Sequence, residues 1–431
     1  MLHNRGRDRM CGEFSIPEDS SAKGFDMPCV DTCPQALLTC LLLAVTAVGT
    51  GCDQAGEVLQ DVKSGVTGEQ EQSVAESKSG ENPPPSTPPN PQRPTPPTPE
   101  EILSTFTKLT PYEISDAALK SVITSSAAAA GITEIEINGE GVTSIGLKYL
   151  SRMPNLHTLT IKHATMSAAE LSIIGEATSL RQLFLGGSDA DDDVLEQLTS
   201  LQELQTLELT NAPISPTAAN WLNRLPNLKN LRLDRTRIDD TTVAGLVALP
   251  LQSLNLSKTR ITNASLPILL KIKTLESLTV SITEVTGAAF KGYNKANLKQ
   301  LDVGNTSFGI DGFMAIRGMQ SLEELNVHNA GLVEHTNANV FRSFPNLKIL
   351  NAGENSITNA GLEVFFKGHR SLEQLNLGGN KWITNNGLAS LVALRSLKVL
   401  DVRDTVVDEA GAKALKERLP DCTVITSLGE F

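Results

Sequence analysis

A pattern of 23 to 25 residues that repeats along the chain constrains its fold more than any other feature of the sequence. The segment Leu228–Pro250 is one full repeat unit, and the next unit starts at Leu251. Apolar residues first alternate with polar ones, as on a half-buried strand. Ile238 then closes a turn, Asp239 can begin a helix, and apolar residues recur at helical spacing. One unit cannot bury its apolar face alone, so the pattern predicts stacked units that share a continuous core.

Twelve units of this kind follow one another through the second part of the chain. The fourth place is leucine in eleven of them, and the sixth place is apolar in all twelve. Nine units carry Ser, Thr or Asp at the twelfth place, and these residues cap the N-termini of helices. Each unit therefore predicts a strand, a turn and a helix. The units begin at Ile132, Leu156, Leu180, Leu204, Leu228, Leu251, Leu275, Leu298, Leu322, Leu347, Leu372 and Leu397.

The repeated pattern, LxxLxLxxTxIT followed by xxGL, resembles the leucine-rich-repeat family over Ile132–Asp421. It is most similar to the bacterial form with an α-helix on the convex side. The resemblance implies an α/β solenoid, a horseshoe of about twelve strand-turn-helix repeats with a parallel concave sheet and a helical convex face. Strands about 4.8 Å apart would make this sheet roughly 50 Å long. Cys422–Ile425 predicts a thirteenth strand that ends the solenoid.

Residues 1–52 are predicted to form a leader with a signal peptide. Ala36–Val48 is a run of 13 uncharged residues, shorter than the roughly 20 that span a bilayer but typical of a signal-peptide core. Small residues and Cys52 follow, so the segment resembles a bacterial lipoprotein signal, which implies that Cys52 is acylated. Cleavage after Ala47 without lipidation, or an uncleaved anchor, are the alternatives.

Residues 53–99 are predicted to be a linker, first acidic and disordered, then rich in proline and extended. Residues 100–131 are predicted to be a helical N-terminal cap, because Ile114–Leu119 repeats the pattern of Ile357–Leu362. Pro99–Ile114 also faintly resembles the start of an F-box, which is the alternative for this segment. Residues 132–431 are predicted to be the leucine-rich-repeat domain with a C-terminal cap strand.

Composition disfavours several classes of function. The formal net charge is −12 and the pI is near 5.1, whereas nucleic-acid phosphates require a basic surface. No cysteine lies between Cys52 and Cys422, so no disulfide or zinc spacing connects the repeats. The histidines fall at different places in the repeats, and no nucleophile motif or phosphate-binding loop occurs. The sequence therefore predicts a protein that is not an enzyme, with no cofactor, metal or nucleic-acid ligand.

Side chains at the third, fifth and seventh places of each unit are predicted to point into the concavity. Asparagine and aspartate are poor strand residues, yet they fill six of the last seven fifth places. Either stacked amides bond from unit to unit, or the row binds a polar ligand. The alternative site is the turn edge that holds Arg237 and Arg260, which would suit an acidic partner. The candidate ligand-binding residues are Phe184, Glu208, Arg232, Asp234, Asn255, Asp302, Asn326, His328, Asn351 and Asn376.

These features predict an exported, non-catalytic binding module of the cell envelope. The leucine-rich-repeat concave surface would stand on a flexible stalk and bind a protein or polar envelope ligand. The chain is expected to be a monomer that meets the membrane only through a lipid anchor at Cys52, or is secreted if cleaved without lipidation. The alternatives are a substrate-recognition subunit of an F-box-type ubiquitin ligase and an architectural spacer in the envelope.

Overall fold

The computed structural model describes residues 96–162, 166–332 and 341–431. The predicted leader over residues 1–52, the predicted acylation site Cys52 and most of the predicted linker lie outside these ranges. The first helix begins at Pro99 and carries a capping box. The Thr98 hydroxyl accepts a hydrogen bond from the Glu101 N–H at 3.2 Å, and the Glu101 carboxylate accepts one from the Thr98 N–H at 2.8 Å.

In the described part of the chain, the repeats form one sheet of fourteen strands whose order follows the order of the sequence. Strands β1 to β13 are parallel, and β14 turns back antiparallel to β13. Equivalent leucines stay in register, as Leu207, Leu231 and Leu254 do. The predicted fold class is therefore confirmed. The strands are β1 (Glu134–Asn138), β2 (Thr158–Lys162), β3 (Gln182–Phe184), β4 (Thr206–Glu208), β5 (Asn230–Arg232), β6 (Ser253–Asn255), β7 (Ser277–Thr279), β8 (Gln300–Asp302), β9 (Glu324–Asn326), β10 (Ile349–Asn351), β11 (Gln374–Asn376), β12 (Val399–Asp401), β13 (Thr423–Thr426) and β14 (Gly429–Glu430).

Short helices follow the strands on the convex side. Some repeats use a 3-10 helix for part or all of this segment: Ser172–Glu176, Pro216–Ala218, Leu246–Ala248, Gly287–Phe290, Tyr293–Lys295 and Phe341–Ser343. The α-helices of the described chain are α1 (Pro99–Phe106), α2 (Asp116–Ile123), α3 (Ser126–Ala130), α4 (Ser144–Leu150), α5 (Ala168–Leu171), α6 (Asp192–Leu198), α7 (Ala219–Leu222), α8 (Asp240–Gly245), α9 (Ser265–Leu269), α10 (Gly309–Ile316), α11 (Asn359–Phe366), α12 (Asn385–Leu391) and α13 (Glu409–Arg418).

Most twelfth-place residues cap these helices. Asp191 Oδ1 accepts from two backbone N–H groups of the first turn of α6, both at 3.1 Å. Thr286 and Thr384 stand at helix starts but make no such bond. Thr384 is instead held by the preceding repeat, because Asn359 accepts from its N–H at 2.9 Å and donates to its hydroxyl at 2.9 Å. The helix starts are thus linked from repeat to repeat as well as capped.

The core is a continuous row of buried leucines, to which a group of buried aromatic rings is added between Phe290 and Phe366. Phe290, Phe308, Phe313 and Phe341 meet edge to face in sequence, with centroids 5.0 to 5.3 Å apart. Phe341 also stacks on Phe366 at 5.3 Å. Aromatic pairs of this kind stabilise by about 0.5–1.5 kcal/mol beyond the area they bury. The rings therefore couple neighbouring repeats more strongly than burial alone would.

Both ends of the core are covered. At the N-terminal end Phe106, Leu119 and Val122 of α1 and α2 are buried in the same core as the repeats. At the C-terminal end the thirteenth strand is present but continues into a hairpin that the sequence did not predict. Phe431 and Val424 exchange two backbone hydrogen bonds, at 2.9 and 3.1 Å. The hairpin satisfies polar groups of β13 that would otherwise face solvent as an open sheet edge.

Candidate ligand-binding surface

The fifth-place side chains lie in one in-register row on the sheet, which we call the concave row. Each member pairs through its Cα with the equivalent residue of the next strand: Phe184, Glu208, Arg232, Asn255, Thr279, Asp302, Asn326, Asn351, Asn376 and Asp401. Asp401 is buried, and the others are half-buried. At about 4.8 Å per strand, the row is roughly 43 Å long. The structure thus brings the predicted fifth-place residues onto one surface, with Asp234 and His328 in the turns just after β5 and β9.

The oxygen of each Asn or Asp in the concave row is bound by the backbone N–H two residues further on. Asn255 accepts from the Ser257 N–H at 2.9 Å, and Asn326 accepts from the His328 N–H at 3.0 Å. The same contact recurs at 2.8 to 3.2 Å for Asp302, Asn351, Asn376 and Asp401. These are Asx turns, in which a short polar side chain replaces a backbone acceptor. This local role explains why poor strand formers occupy the ends of these strands.

The side-chain nitrogens of the asparagines in the row differ from the oxygens in their hydrogen bonding. Asn326 donates to the Asp302 carboxylate of the preceding strand. Asn255, Asn351 and Asn376 are hydrogen-bonded through their oxygens, and their nitrogens bind no acceptor among the described residues. An amide nitrogen carries two donors. The row therefore offers donors at three positions to a ligand in the concavity.

Three of the predicted residues form one ion-pair cluster near the N-terminal end of the row. Arg232 lies 3.7 Å from a Glu208 oxygen and 3.5 Å from an Asp234 oxygen. The Thr210 hydroxyl lies between the same two carboxylates, at 3.1 and 3.0 Å. The side chains of the three ions are 27%, 20% and 10% exposed. Arg232 is thus held in place by its own neighbours, and the cluster carries one excess negative charge.

Asp302 and His328 belong to neighbouring repeats of the same surface. Burial raises the pKa of the Asp302 carboxyl above its usual range, although the Gly304 N–H and Asn326 bind its ionised form. The His328 ring lies over Gly353, where a Cβ would come within 2.8 Å of Nδ1. The His328 Nε2 atom is 3.7 Å from a Glu354 oxygen. Glycine at position 353 is needed for this ring position.

An open groove of about 780 Å³ lies at the C-terminal end of the solenoid, where the strands of repeats nine to twelve pass into their turns. We call it the C-terminal groove. Two of the predicted site residues, His328 and Asn376, line it. The other lining residues are Glu354, Ser356, Gly378, Gly379, Lys381, Trp382, Asp401, Arg403 and Asp404. Gly378 and Gly379 contribute no side chains, so the backbone forms part of the groove wall.

Trp382 is the most exposed aromatic contact of this groove. It is 67% exposed. The segment Asn380–Thr384 has one residue more than its counterpart Asn355–Thr358 in the preceding repeat. The backbone of Trp382 forms a β-bridge with Thr358, and its indole side chain is exposed instead of being buried in the core. An exposed tryptophan presents a large rigid apolar face and one N–H donor to any ligand in the groove.

Arg403 and Asp401 form the opposite wall of the C-terminal groove. The Arg403 guanidinium binds the Asp401 carboxylate in a bidentate arrangement, with Nε and Nη2 at 3.0 and 2.6 Å from Oδ2 and Nε also 3.1 Å from Oδ1. The Asp401 side chain is 7% exposed and that of Arg403 is 50% exposed. The buried carboxylate is satisfied, and the guanidinium keeps a donor edge toward solvent.

The two edges of the sheet carry different charge. At the second place of the repeats, Lys299, Lys348 and Lys398 each pair with a glutamate of the preceding repeat at 2.6 to 2.8 Å. On the turn edge, Arg237 and Arg260 are exposed, and the part of the chain that the structure describes gives neither side chain an ion-pair partner. The first edge neutralises itself, so the turn edge is the better place for an acidic partner.

Trp382, Lys381 and Arg403 were not among the residues predicted from the sequence. Trp382 could have been identified from the sequence, because Lys381 and Trp382 lie where an otherwise regular repeat has one additional residue. It is also one of only two tryptophans in the chain. Arg403 stands at the seventh place, where glycine, serine or threonine is usual in this protein. Departures from a repeat pattern were thus more informative than the pattern itself.

Among residues 96–162, 166–332 and 341–431, no group of three or more His, Cys, Asp or Glu side chains is placed to hold a metal ion. No helix there is both long and apolar enough to cross a bilayer.

Comparisons with known proteins agree with this architecture. A leucine-rich-repeat family model matches residues 368–392. The fold is similar to that of an internalin from Listeria monocytogenes, with a TM-score of 0.50, 20% identity, and coverage of 76% of this chain and 94% of the internalin. No curated protein matches the chain in sequence.

Two other solved structures give weaker matches. A leucine-rich-repeat protein of Leptospira interrogans has a TM-score of 0.49 and 18% identity, covering 75% of this chain and 97% of that one. The yeast Rad7–Elc1 complex has a TM-score of 0.49 and 15% identity, covering 76% and 87%. The repeat pattern and the parallel sheet define the class: this is a leucine-rich-repeat solenoid. That fold supports a protein-interaction module, since stacked repeats create an extended concave surface that such proteins use for binding.

Proposed function

We propose that this chain is a non-catalytic binding module of the bacterial cell envelope that holds a partner protein against the middle of the concave row. The observation that carries the proposal is the row itself. Asx turns fix the oxygens of Asn255 and Asn351 while their nitrogens bind no described acceptor. Half-buried donors on a rigid sheet are pre-organised, so a partner loses less entropy in binding them.

The N-terminal end of the row supplies both polar and apolar contacts. Phe184 is a half-buried ring on strand β3, and aromatic residues are frequent hot spots of protein interfaces. The cluster of Glu208, Arg232 and Asp234 lies one to two strands away. Because its charges are already paired, it contributes specificity by excluding partners with a negative group at that point.

The test separates binding from stability by replacing asparagine with aspartate. Asn255→Asp and Asn351→Asp keep the oxygen that closes the Asx turn, as Asp302 and Asp401 show, but remove the amide donors. The full-length protein is used to capture partners from envelope extract, and the double variant is compared for each protein retained. We expect an unchanged melting temperature and a partner that is lost or at least about tenfold weaker. If every captured protein binds the double variant equally well, the row is structural only.

The envelope location is part of the same proposal and rests on the sequence from Ala36 to Cys52. An acylated Cys52 would hold the solenoid at a membrane surface through the linker. The protein should then enter the detergent phase on phase separation, and Cys52→Ser should move it to the aqueous phase. Mass spectrometry that finds an unmodified N-terminus at Val48 would favour simple secretion, and a cytosolic protein that starts at Met1 would exclude export.

A further inference from the structure

The C-terminal groove presents hydrogen-bond donors and acceptors in similar number. The Asn376 side-chain nitrogen and the Lys381 ammonium bind no acceptor among the described residues. Glu354 and Asp404 supply exposed carboxylates at the rim. Glu354 has only a 3.7 Å approach from His328, and Asp404 accepts a long bond of 3.4 Å from the Ser427 hydroxyl. A ligand that fits must both donate and accept.

The charge of this groove does not favour a strongly ionic ligand. Lys381 and Arg403 are the cations in the lining, and Glu354, Asp401 and Asp404 are the carboxylates. The most buried of these charges, Asp401, is already neutralised by Arg403 at 2.6 Å. Neither a polyanion nor a polycation would find a complementary field here. Hydroxyl groups, which are uncharged and act as donor and acceptor at once, match this lining better.

The backbone in the groove is not available to a peptide strand. The Gly378 N–H donates to Asn376 at 2.8 Å, and the Gly379 N–H donates to the Arg403 carbonyl at 2.9 Å. The Glu354 N–H donates to the Gly378 carbonyl at 2.8 Å. Peptides that add to a sheet depend on free main-chain groups of this kind. Recognition in the groove must therefore come from side chains.

The exposed indole of Trp382 completes the site. A flat aromatic face on a polar rim suits a ligand that has one apolar face of C–H groups and a hydroxylated edge, which is the form of a pyranose ring. His328 and Arg403 lie on strands three repeats apart, so the groove spans roughly 14 Å across the sheet. That width accommodates a short chain of sugar units rather than a single one.

We propose that the C-terminal groove is a carbohydrate-binding site for a short, largely uncharged oligosaccharide. In this arrangement the Trp382 ring packs against one sugar face. Asn376 and Lys381 donate to ring hydroxyls, and Glu354 and Asp404 accept from them. The groove shares Asn376 and Asp401 with the C-terminal end of the concave row, whereas the protein-binding proposal is tested at Asn255 and Asn351. The two proposals are therefore tested by different variants, and either can fail without the other.

The experiment uses the two tryptophans of the chain. Trp221 lies on the convex helix α7, where Arg224 covers its ring at 5.1 Å. In full-length Trp221→Phe, Trp382 is the only fluorophore of its kind, and the variant is titrated with chitotetraose and, separately, with cellotetraose. We expect a saturable change in emission with at least one of these sugars. Hexaglutamate is titrated in parallel as an anionic peptide probe.

Calorimetry then assigns the binding to the groove. Trp382→Ala and Asn376→Asp should each weaken the sugar by at least about tenfold, while Trp221→Phe binds like the unchanged protein. Asn376→Asp keeps the Asx-turn oxygen, so its melting temperature should not move, and its loss of affinity reports the missing donor. The proposal is overturned if neither sugar gives a saturable signal up to its solubility limit. It is also overturned if the sugar binds Trp382→Ala unchanged, or if hexaglutamate alone binds in a salt-sensitive way.

Discussion

The replacement of Asn380 by alanine gives the sharpest test of what holds the C-terminal repeats together. Asn380 is fully buried and makes four hydrogen bonds with its side chain. Its nitrogen donates to the carbonyls of Ala352 and Leu377 at 3.0 and 2.7 Å, and its oxygen accepts from the N–H groups of Asn355 and Ile357 at 3.0 and 2.9 Å. Three of these four partners belong to the preceding repeat, so the side chain joins two units.

The expected loss follows from the groups that Asn380→Ala leaves without partners. Each buried hydrogen bond contributes a net of about 1 kcal/mol, and an unsatisfied buried group costs about 1–3 kcal/mol. Four such bonds give a loss of about 4 kcal/mol in the free energy of unfolding. Urea denaturation followed by far-UV circular dichroism measures this loss. Hydrogen exchange locates it, because a solenoid can open in blocks rather than all at once.

Two matched variants make the result decisive. Thr306 stands at the equivalent place three repeats earlier, and its hydroxyl makes one buried bond, to the Val303 carbonyl at 2.6 Å. Thr306→Ala should therefore cost only about 1 kcal/mol. Asn380→Thr should fall between the two, since a hydroxyl can still reach the Leu377 carbonyl. A loss in Asn380→Ala no larger than that in Thr306→Ala would refute the reasoning that the amide joins the repeats.

Two other outcomes are expected. Leu231 is 1% exposed between adjacent units, so Leu231→Ala should lower the free energy of unfolding by roughly 2–5 kcal/mol; unchanged urea denaturation would show that the register is wrong. Burial lowers the pKa of His369 below its ordinary value of 6.5. The unfolded chain therefore binds a proton more readily, and stability should fall as pH drops below 6.5. His369→Leu should flatten that part of a plot of stability against pH, and equal slopes for both proteins between pH 6.5 and 5 would contradict the assignment.

Periodicity was sufficient to predict the strands, their parallel order and the buried leucines. The reason is physical: a one-residue shift would move every leucine of a strand to the solvent face, so the apolar pattern determines the register. The C-terminal hairpin was not predictable in this way. It depends on two backbone bonds between Val424 and Phe431, and these bonds leave no trace in an apolar pattern.

The C-terminal groove escaped prediction for a different reason. Its walls come from side chains such as His328, Trp382 and Arg403, which are far apart in sequence. His328 and Arg403 occupy the seventh place of their repeats, whereas Trp382 lies in the turn that has an extra residue. Their proximity results from stacking, and the free space results from Gly378 and Gly379. A sequence shows which residues occupy equivalent places in the repeats, but it does not show where the folded surface leaves space for a ligand. The concave row was therefore predictable, whereas the groove could be found only from the three-dimensional structure.

The distribution of Asn and Asp along the concave row carries information beyond their common turn. Either residue can close an Asx turn, so that role alone does not choose between them. The two aspartates have donors beside their carboxylates: Asp401 has Arg403, and Asp302 has Asn326. Asn255 and Asn351, by contrast, have nitrogens that bind no acceptor in the described chain. Both aspartates thus lie beside a side-chain N–H donor. Asn255 instead accepts a bond from the Ser257 hydroxyl, at 2.7 Å, and Asn351 accepts from no side chain among the described residues. A purely structural row would tolerate aspartate at 255 and 351 without any loss of binding, and this is why that replacement separates the two explanations.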